Sequence, residues 1–382
     1  MGIMRLLANK CSAEYFKAYR YSLDHESNSS LDYEAPRNVT KRIAETNPPI
    51  GRDTIDLELL SKEYAHYESC FTYFLDGSRR VYKVDDMVFS SNGVKSIYPV
   101  IAGQVAVACC RREAKRIYPE RIVYECDIAL PEKANIDGAH GFFESIAEDL
   151  KGNISINKLN IPFSQIFPYR TSRVGEEKYE DKGIAKIQGR MMDLEKEVVA
   201  DLVRAGKLHD RSYLIKDGSL EYSSRKERKS DNQLMLFKKN YRYVVGVSKR
   251  FNPELYLGKN NKPNPGFIAN LPLYHRTPVI LCQHENIEFG VWYIRIRNIA
   301  RTRSPFDGVI KVEKMLVTDK EVQDKQLDTE TINLLSAQLI NERNPVCYGA
   351  DSRWANHIYP IYLTEIYIKQ RYINTESFLQ LF

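Results

Sequence analysis

Apolar positions along the chain follow two rhythms: short alternating or continuous runs that predict strands, and recurrences every three or four residues that predict helices. Phe71-Thr72-Tyr73-Phe74-Leu75-Asp76 reads as a buried strand that stops at Asp76. Arg79-Arg80-Val81-Tyr82-Lys83-Val84 alternates and reads as a second strand, 97–109 as a third and 120–130 as a fourth, so a meander is expected beside Asp76. Further strands are expected at 211–216, 243–249, 288–297 and 308–317. The helical rhythm covers 54–68, a stretch near 139–150, 186–206, 328–341 and 355–373. Residues 1–50 are polar and irregular and predict a short helix followed by an extended arm. Residues 131–185 read as an insertion, and 255–280, rich in Pro, Gly and Asn, as a loop. The expected architecture is α/β: an N-terminal arm with helices in 1–69, then one mixed-sheet domain over 70–382 carrying the insertion at about 131–185.

Composition narrows the class. The chain has 382 residues, 43% hydrophobic and 28% charged, which fits a globular protein of one large or two ordinary domains. No apolar run is long enough to cross a bilayer. The opening Met1-Gly2-Ile3-Met4-Arg5-Leu6-Leu7 is too short an apolar stretch for a signal peptide, and no Ser or Thr follows Gly2 at position 6 to mark myristoylation. The expectation is a cytoplasmic protein with no membrane partner. The cysteines number seven, an odd count with no Cys-x-x-Cys pair, and predict buried free thiols rather than disulfides or structural zinc. A net charge of +6 permits a nucleic-acid partner without requiring one. Arg225-Lys226-Glu227-Arg228-Lys229 and the series Arg295, Arg297, Arg301 and Arg303 are candidates for a DNA path, although such runs are more often solvated faces.

The chemistry starts from a repeated ending. Asp76-Gly77-Ser78 and Asp217-Gly218-Ser219 each follow an apolar run that reads as a strand. One such copy is an ordinary turn pair. Two carboxylates at strand ends, joined by a sheet, make the beginnings of a cage for a divalent cation. The helix at 186–206 offers a third acid. At about 100° per residue, Met191, Glu195, Val198, Val199 and Leu202 fall on one side, whereas Glu197 falls on the other with Asp193 and Arg204. Glu195 therefore sits inside an apolar stripe, where a bare charge is costly and needs a partner: a cation, or alternatively an arginine in a buried salt bridge.

The order strand–Asp76, further strands, helix–Glu195, strand–Asp217 resembles the RNase H-like fold, whose metal-binding acids lie at the end of the first strand, on the first helix and at the end of the fourth strand. Within that fold, five segments resemble the NurA nucleases. Phe74-Leu75-Asp76-Gly77-Ser78-Arg79 and Leu214-Ile215-Lys216-Asp217-Gly218-Ser219-Leu220 are similar to the family's two acidic motifs. Val245-Gly246-Val247-Ser248-Lys249 is similar to its strand with a terminal lysine, and Val291-Trp292-Tyr293-Ile294-Arg295-Ile296 to a late strand. Tyr359-Pro360-Ile361-Tyr362-Leu363 is similar to a Tyr-Pro-x-x-Leu motif that carries an active-site tyrosine. The family's Ala-His beyond that Leu is replaced here by Ile366-Tyr367, which leaves His357 as a substitute for the absent histidine, or else as a capping or surface residue.

The resemblance implies a nuclease that uses Mn²⁺ or Mg²⁺ to cut single-stranded DNA internally and to degrade ends 5′ to 3′. Asp76, Glu195 and Asp217 would hold the metal, Tyr359 would position a phosphate or water, and Lys249 would contact the scissile phosphate. It also implies a homodimer that works beside a HerA-type hexameric ATPase in DNA end processing or phage defence. The chain lacks a Walker A motif and would need such an external motor. Two other functions share these features: an inactive DNA-binding adaptor of the same complex, which the missing histidine favours, and an Argonaute/PIWI-like nuclease, for which the chain is short.

Overall fold

The computed structural model of the chain describes residues 2–382 apart from 18, 24–37, 42, 49–52, 92, 153–160, 173–176, 221–230, 259–261, 285, 299–303 and 348–353. One large mixed sheet organises these residues. Its centre is a long antiparallel meander: β5 (Phe71–Ser91), β6 (Val94–Glu113) and β7 (Arg116–Pro131). On the other side of β5 lie two parallel neighbours, β9 (Tyr213–Asp217) and then β10 (Val244–Ser248). Antiparallel strands β14 (Val309–Met315), β13 (Ile287–Arg295), β12 (Ile280–His284) and β3 (Asn38–Lys41) extend that side. Strand β8 (Phe163–Tyr169) adds parallel to β7 at the far edge. Short β1 (Glu14–Phe16) and β2 (Tyr21–Ser22) pair with the distal half of β5, and β4 (Ile55–Asp56) meets β11 (His275–Arg276). A mixed sheet flanked by helices is the fold class the sequence predicts.

The helices are α1 (Ile3–Lys10), α2 (Glu58–Tyr64), α3 (Phe142–Lys151), α4 (Tyr179–Arg204), α5 (Asp231–Asn240), α6 (Pro265–Ala269), α7 (Asp319–Asp324), α8 (Thr329–Asn341), α9 (Tyr359–Lys369) and α10 (Thr375–Leu379). They bury their apolar stripes on opposite faces. Leu75, Val105, Val107 and Leu214 pack with Ile187, Leu194, Val198 and Val199 of α4 on one face. Phe74, Ile215, Val245 and Val247 pack with Ile332, Leu335 and Leu339 of α8 and Ile361 of α9 on the other. Side chains alternate across a strand, so each strand of the central set feeds both cores.

The structure adds detail to four expectations. The strands expected at 71–76 and 79–84 are one strand. Asp76 pairs with Ala108, Gly77 with Val107, Ser78 with Ala106 and Arg79 with Val105, so the ladder to β6 runs through the Asp-Gly-Ser without a turn. The segment expected to be an insertion contributes β8 to the sheet edge and α3 beside it. The stretch 255–280 is not all loop, since it holds α6, β11 and the first residue of β12. The arm expected in 1–50 supplies α1 and three short strands of the sheet.

A buried ion pair fastens the N-terminal segment beside the second core. The Arg276 guanidinium makes a two-pronged contact with Glu45, at 2.7 and 3.2 Å, and also donates to Asn333 and to the Thr277 carbonyl. Glu45 in turn accepts from the Val279 amide, so a residue of the N-terminal segment is fastened inside the sheet. All seven cysteines are free and buried, as the sequence predicts. Burial lifts the thiols of Cys11 and Cys70 to about 12, which removes them as nucleophiles at neutral pH.

Candidate functional site

The strand register decides which acids can meet. Leu75 pairs with Lys216 across the parallel β5–β9 ladder, and Asp217 pairs with Val247 across the β9–β10 ladder. Aligned residues on neighbouring strands project to the same face, so Asp76 and Asp217 share one face and Gly77 and Lys216 share the other. Lys249, two residues beyond Val247, belongs with the two aspartates. Asp76 lies opposite Ala108, and Ala108 packs with Ala106 against Ile368 of α9. The small alanines let α9 lie close to the sheet, and α9 brings Glu365 to this face.

Lys249 is at the centre of the group. Its Nζ is 2.9 Å from Asp217 Oδ2 and 3.8 Å from Glu365 Oε2, and its side chain is only 6% exposed. Its backbone is held as well, since Asn356 donates to the Lys249 carbonyl at 3.0 Å and to that of Val309 at 2.8 Å. Burial opposes the Lys249 charge, but Asp217, Asp76 and Glu365 outweigh it and hold the ammonium above its usual pKa. Burial also raises Asp76 well above the usual carboxylate range; Asp217 adds to the shift, Lys249 opposes it, and Glu365 and Glu195 add further. Glu365 is shared with Lys369, whose Nζ is 2.7 Å from Oε1.

Glu195 arrives from the opposite face. It is 3% exposed in the middle of α4, with Leu194, Val198, Val199 and Leu202 buried around it, whereas Glu197 is an exposed partner of Arg190. The helix-face reading, with Glu195 inward and Glu197 outward, agrees with this burial. The protein group that meets it is a lysine rather than an arginine: Lys216 Nζ lies 3.2 Å from Glu195 Oε2 and also donates to the Asp217 carbonyl at 2.9 Å. Burial raises the Glu195 pKa against the pull of Lys216. Oε1 of Glu195 rests on Gly77, where a Cβ would stand only 2.6 Å away. Gly77 is thus a site of close approach within a strand, not a turn residue.

The second Asp-Gly-Ser does turn. Gly218 has φ +83° and donates to Val247 O at 2.8 Å. Ser219 Oγ and the Leu220 amide both bond Glu313 Oε2, at 3.0 and 2.9 Å, which pins the chain as it leaves Asp217. Because β9 ends there, no strand among the described residues pairs with β5 on that side between Asp76 and Arg80. The gap lies at the carboxyl ends of parallel strands, the usual place for a ligand crevice in such sheets. It opens the sheet where Glu195 from one face and Asp76, Asp217, Lys249 and Glu365 from the other converge.

The remaining expected residues are less central. Tyr359 is the first residue of α9, and helical spacing puts it on the face of Leu363 rather than that of Glu365. His357 is 1% exposed, edge-on to the Tyr362 ring at 5.7 Å, so it is a core histidine and not a surface one. Arg79 donates to Gln188 and Arg80 stacks on the Tyr372 ring at 4.6 Å. Arg295, a candidate for the DNA path, is buried and donates to the carbonyls of Leu271, Ala269, Pro305 and Asp307, which makes it a structural anchor. Arg297 likewise binds the carbonyls of Ala355 and Arg343. Arg301, Arg303 and the basic run at 225–229 lie outside the described residues.

Sequence reasoning missed Lys216 and Glu365. Both were detectable by the rule that selected Glu195. Lys216 shares a strand face with the buried Leu214, and Glu365 shares a helix stripe with the buried Ile361 and Ile368.

Carboxylate oxygens suit a hard divalent ion. Their arrangement does not yet suit one. Among the described residues no group of three or more His, Cys, Asp and Glu could hold a metal ion. The acids are met instead by lysines, Asp217 and Glu365 by Lys249 and Glu195 by Lys216. The donor set fits such an ion in kind but not in this arrangement.

No helix among the described residues is long and apolar enough to cross a membrane. The sequence matches no family model and no curated protein. Among solved structures, the crystal structure of the NurA nuclease from Sulfolobus solfataricus is similar over 81% of this chain and 83% of that one, with a TM-score of 0.43 and 11% identity. A likeness this loose identifies neither the family nor the activity.

Proposed function

We propose that the chain is a divalent-metal-dependent deoxyribonuclease that acts on single-stranded DNA. The observation that carries this reading is the convergence of Asp76, Asp217, Glu195 and Glu365 from four separate elements at one gap in the sheet. Gathering four acids is electrostatically expensive, and their own lysines offset the cost only in part. Such a cluster suits a function that brings in further positive charge.

Asp76, Asp217 and Glu365 would hold the ion, with Glu195 approaching from the far face. When bound, Mg²⁺ or Mn²⁺ supplies an activated water and stabilises charge on the leaving oxygen. The chain's own residues do the rest. Asp217 fixes the position of the site through the pinned turn at 218–220. Lys249, at the rim of the gap, meets the phosphate. Gly77 lets Glu195 approach the strand. Partnership with a HerA-type hexameric translocase and a homodimeric state are further parts of this proposal, as is work in DNA end processing or phage defence.

The test is incubation of the pure protein with end-labelled single-stranded DNA and Mn²⁺, alone and with a translocase of that type. Cleavage should disappear with a chelator and in Asp217→Asn, and persist in Glu197→Ala. A second reading has its own support: the acids are already paired with lysines, and no ready metal cage exists among the described residues. On that reading the chain is an adaptor that binds DNA without cutting it. DNA binding with no cleavage under any of these conditions would establish the adaptor and sink the nuclease.

A further inference from the structure

Helix α5 carries four apolar residues in a row, Leu234-Met235-Leu236-Phe237, and a helix cannot turn all four to one side. Leu234 and Phe237 pack on the core, where the Phe237 ring lies 4.7 Å from that of Tyr241. Met235 and Leu236 turn outward and are 69% and 62% exposed. Together with Val317, just before α7, and Val322, within α7, they line a groove of about 700 Å³. That volume is within the usual range of binding clefts. A methionine wall suits such a role, because its unbranched side chain adapts to what it covers.

Charge and backbone narrow the occupant. Lys238, Lys239 and Arg242 line the same groove against one acid, Asp319, which leaves a surplus of two positive charges. No carboxylate among the described residues pairs with Lys238 or Lys239. Arg242 is exposed, its guanidinium 5.2 Å from the centre of the Tyr243 ring. The lining holds no aromatic ring on which a nucleic-acid base could stack, and Asp319 would repel a phosphate. Nor can an extended peptide add to the sheet here: β14, which leads into the groove, is already paired on its two sides with β13 and β10. The surface suits a segment that satisfies its own backbone and brings apolar side chains and carboxylates together.

We propose that this groove docks an acidic amphipathic helix of a partner protein. Large aliphatic side chains at helical spacing enter between Met235, Leu236, Val317 and Val322, and carboxylates along the flank meet Lys238, Lys239 and Arg242. The groove shares no residue with the acids at the sheet gap, so the inference stands whether the chain cuts nucleic acid or only binds it.

The experiment uses three fluorescein-labelled helical peptides with leucine at i, i+3, i+4 and i+7. The remaining positions are filled mainly with glutamate in the first, glutamine in the second and lysine in the third. Fluorescence anisotropy with the full chain should show the glutamate peptide binding at least about tenfold more tightly than the other two, and weakening as salt rises. Leu236→Ser should weaken it by about tenfold or more, as loss of a buried leucine contact does. Val322→Ser, on the opposite wall, should weaken it in the same direction, which covers the case where the α5 variant does not fold. Lys238→Glu combined with Lys239→Glu should reverse the order, so that the lysine peptide binds better than the glutamate one. Equal binding of all three peptides, or no binding of the glutamate peptide below about 1 mM, would overturn the proposal. So would displacement of the bound peptide by single-stranded oligothymidine whose own affinity falls in the double charge variant, since that result assigns the surface to nucleic acid.

Discussion

Replacing Gly77 with alanine should separate catalysis from stability, because the added methyl points at one carboxylate. The new Cβ would stand 2.6 Å from Glu195 Oε1, 3.1 Å from Met191 Cγ and 3.2 Å from Glu195 Cδ. An unstrained carbon–oxygen approach is about 3.3 Å, so the carboxylate must retreat by about 0.7 Å. The closest obstruction is the far end of the flexible Glu195 side chain, with Met191 Cγ needing only a small shift, so the strand and helix need not move. Overpacking of this kind costs about 1–3 kcal/mol. A catalytic group misplaced by about 1 Å can lose about 100-fold in rate. Single-turnover cleavage of labelled single-stranded DNA with saturating Mn²⁺ should therefore fall by about 10- to 100-fold, while thermal unfolding stays cooperative and shifts by only a few degrees. Full activity in Gly77→Ala would refute the idea that the position of Glu195 matters to the chemistry.

Glu45→Ala leaves the Arg276 guanidinium buried and unpaired and should cost about 3–5 kcal/mol in urea unfolding; a loss under about 1 kcal/mol would show that the pair is not a fastening. Arg295→Met strands four carbonyls in the interior and should cost at least about 3 kcal/mol, yet leave single-strand affinity of the folded protein unchanged by fluorescence anisotropy. Weakened DNA binding with intact stability would return Arg295 to the DNA path. Burial, reinforced by Glu125, pushes the Asp127 carboxyl up to about 8, far above the 3.8 it would have unfolded. Between those values the folded chain holds a proton that the unfolded chain releases, so this group's contribution to stability falls as pH rises from about 4 to about 8 and then levels off. Asp127→Asn, which can still accept from the Gln165 amide, should raise the unfolding midpoint more at about pH 9 than at about pH 5; an equal gain at both would contradict the buried-acid account.

The mixed α/β class was legible in the sequence, as was the inward face of one acidic helix, but the extent of the strands was not. Glu195 could be chosen over Glu197 because a 26-residue helix shows its stripe without ambiguity. Asp76 and Asp217 could be flagged because each follows an apolar run. What the alternation could not reveal was that β5 continues for 15 residues past Asp76, to Ser91, because the reason lies in β6, which pairs with it throughout. A Gly-Ser that turns and a Gly-Ser that stays extended look alike until the partner strand is known. Lys216 and Glu365 were passed over for a different reason. A charged residue in a strand or helix is usually read as a marker of the solvent side, and these two face inward only because each has an opposite charge waiting. Arg295 shows the converse, since nothing local distinguishes an arginine that binds a phosphate from one that binds carbonyls.

The most direct test is crystallographic: the full chain with a phosphorothioate single strand, soaked in Mn²⁺ and measured at the manganese absorption edge. An anomalous peak among Asp76, Asp217 and Glu365 is the predicted result. No peak there, with both lysines still seated on their carboxylates and the strand bound elsewhere, would contradict it.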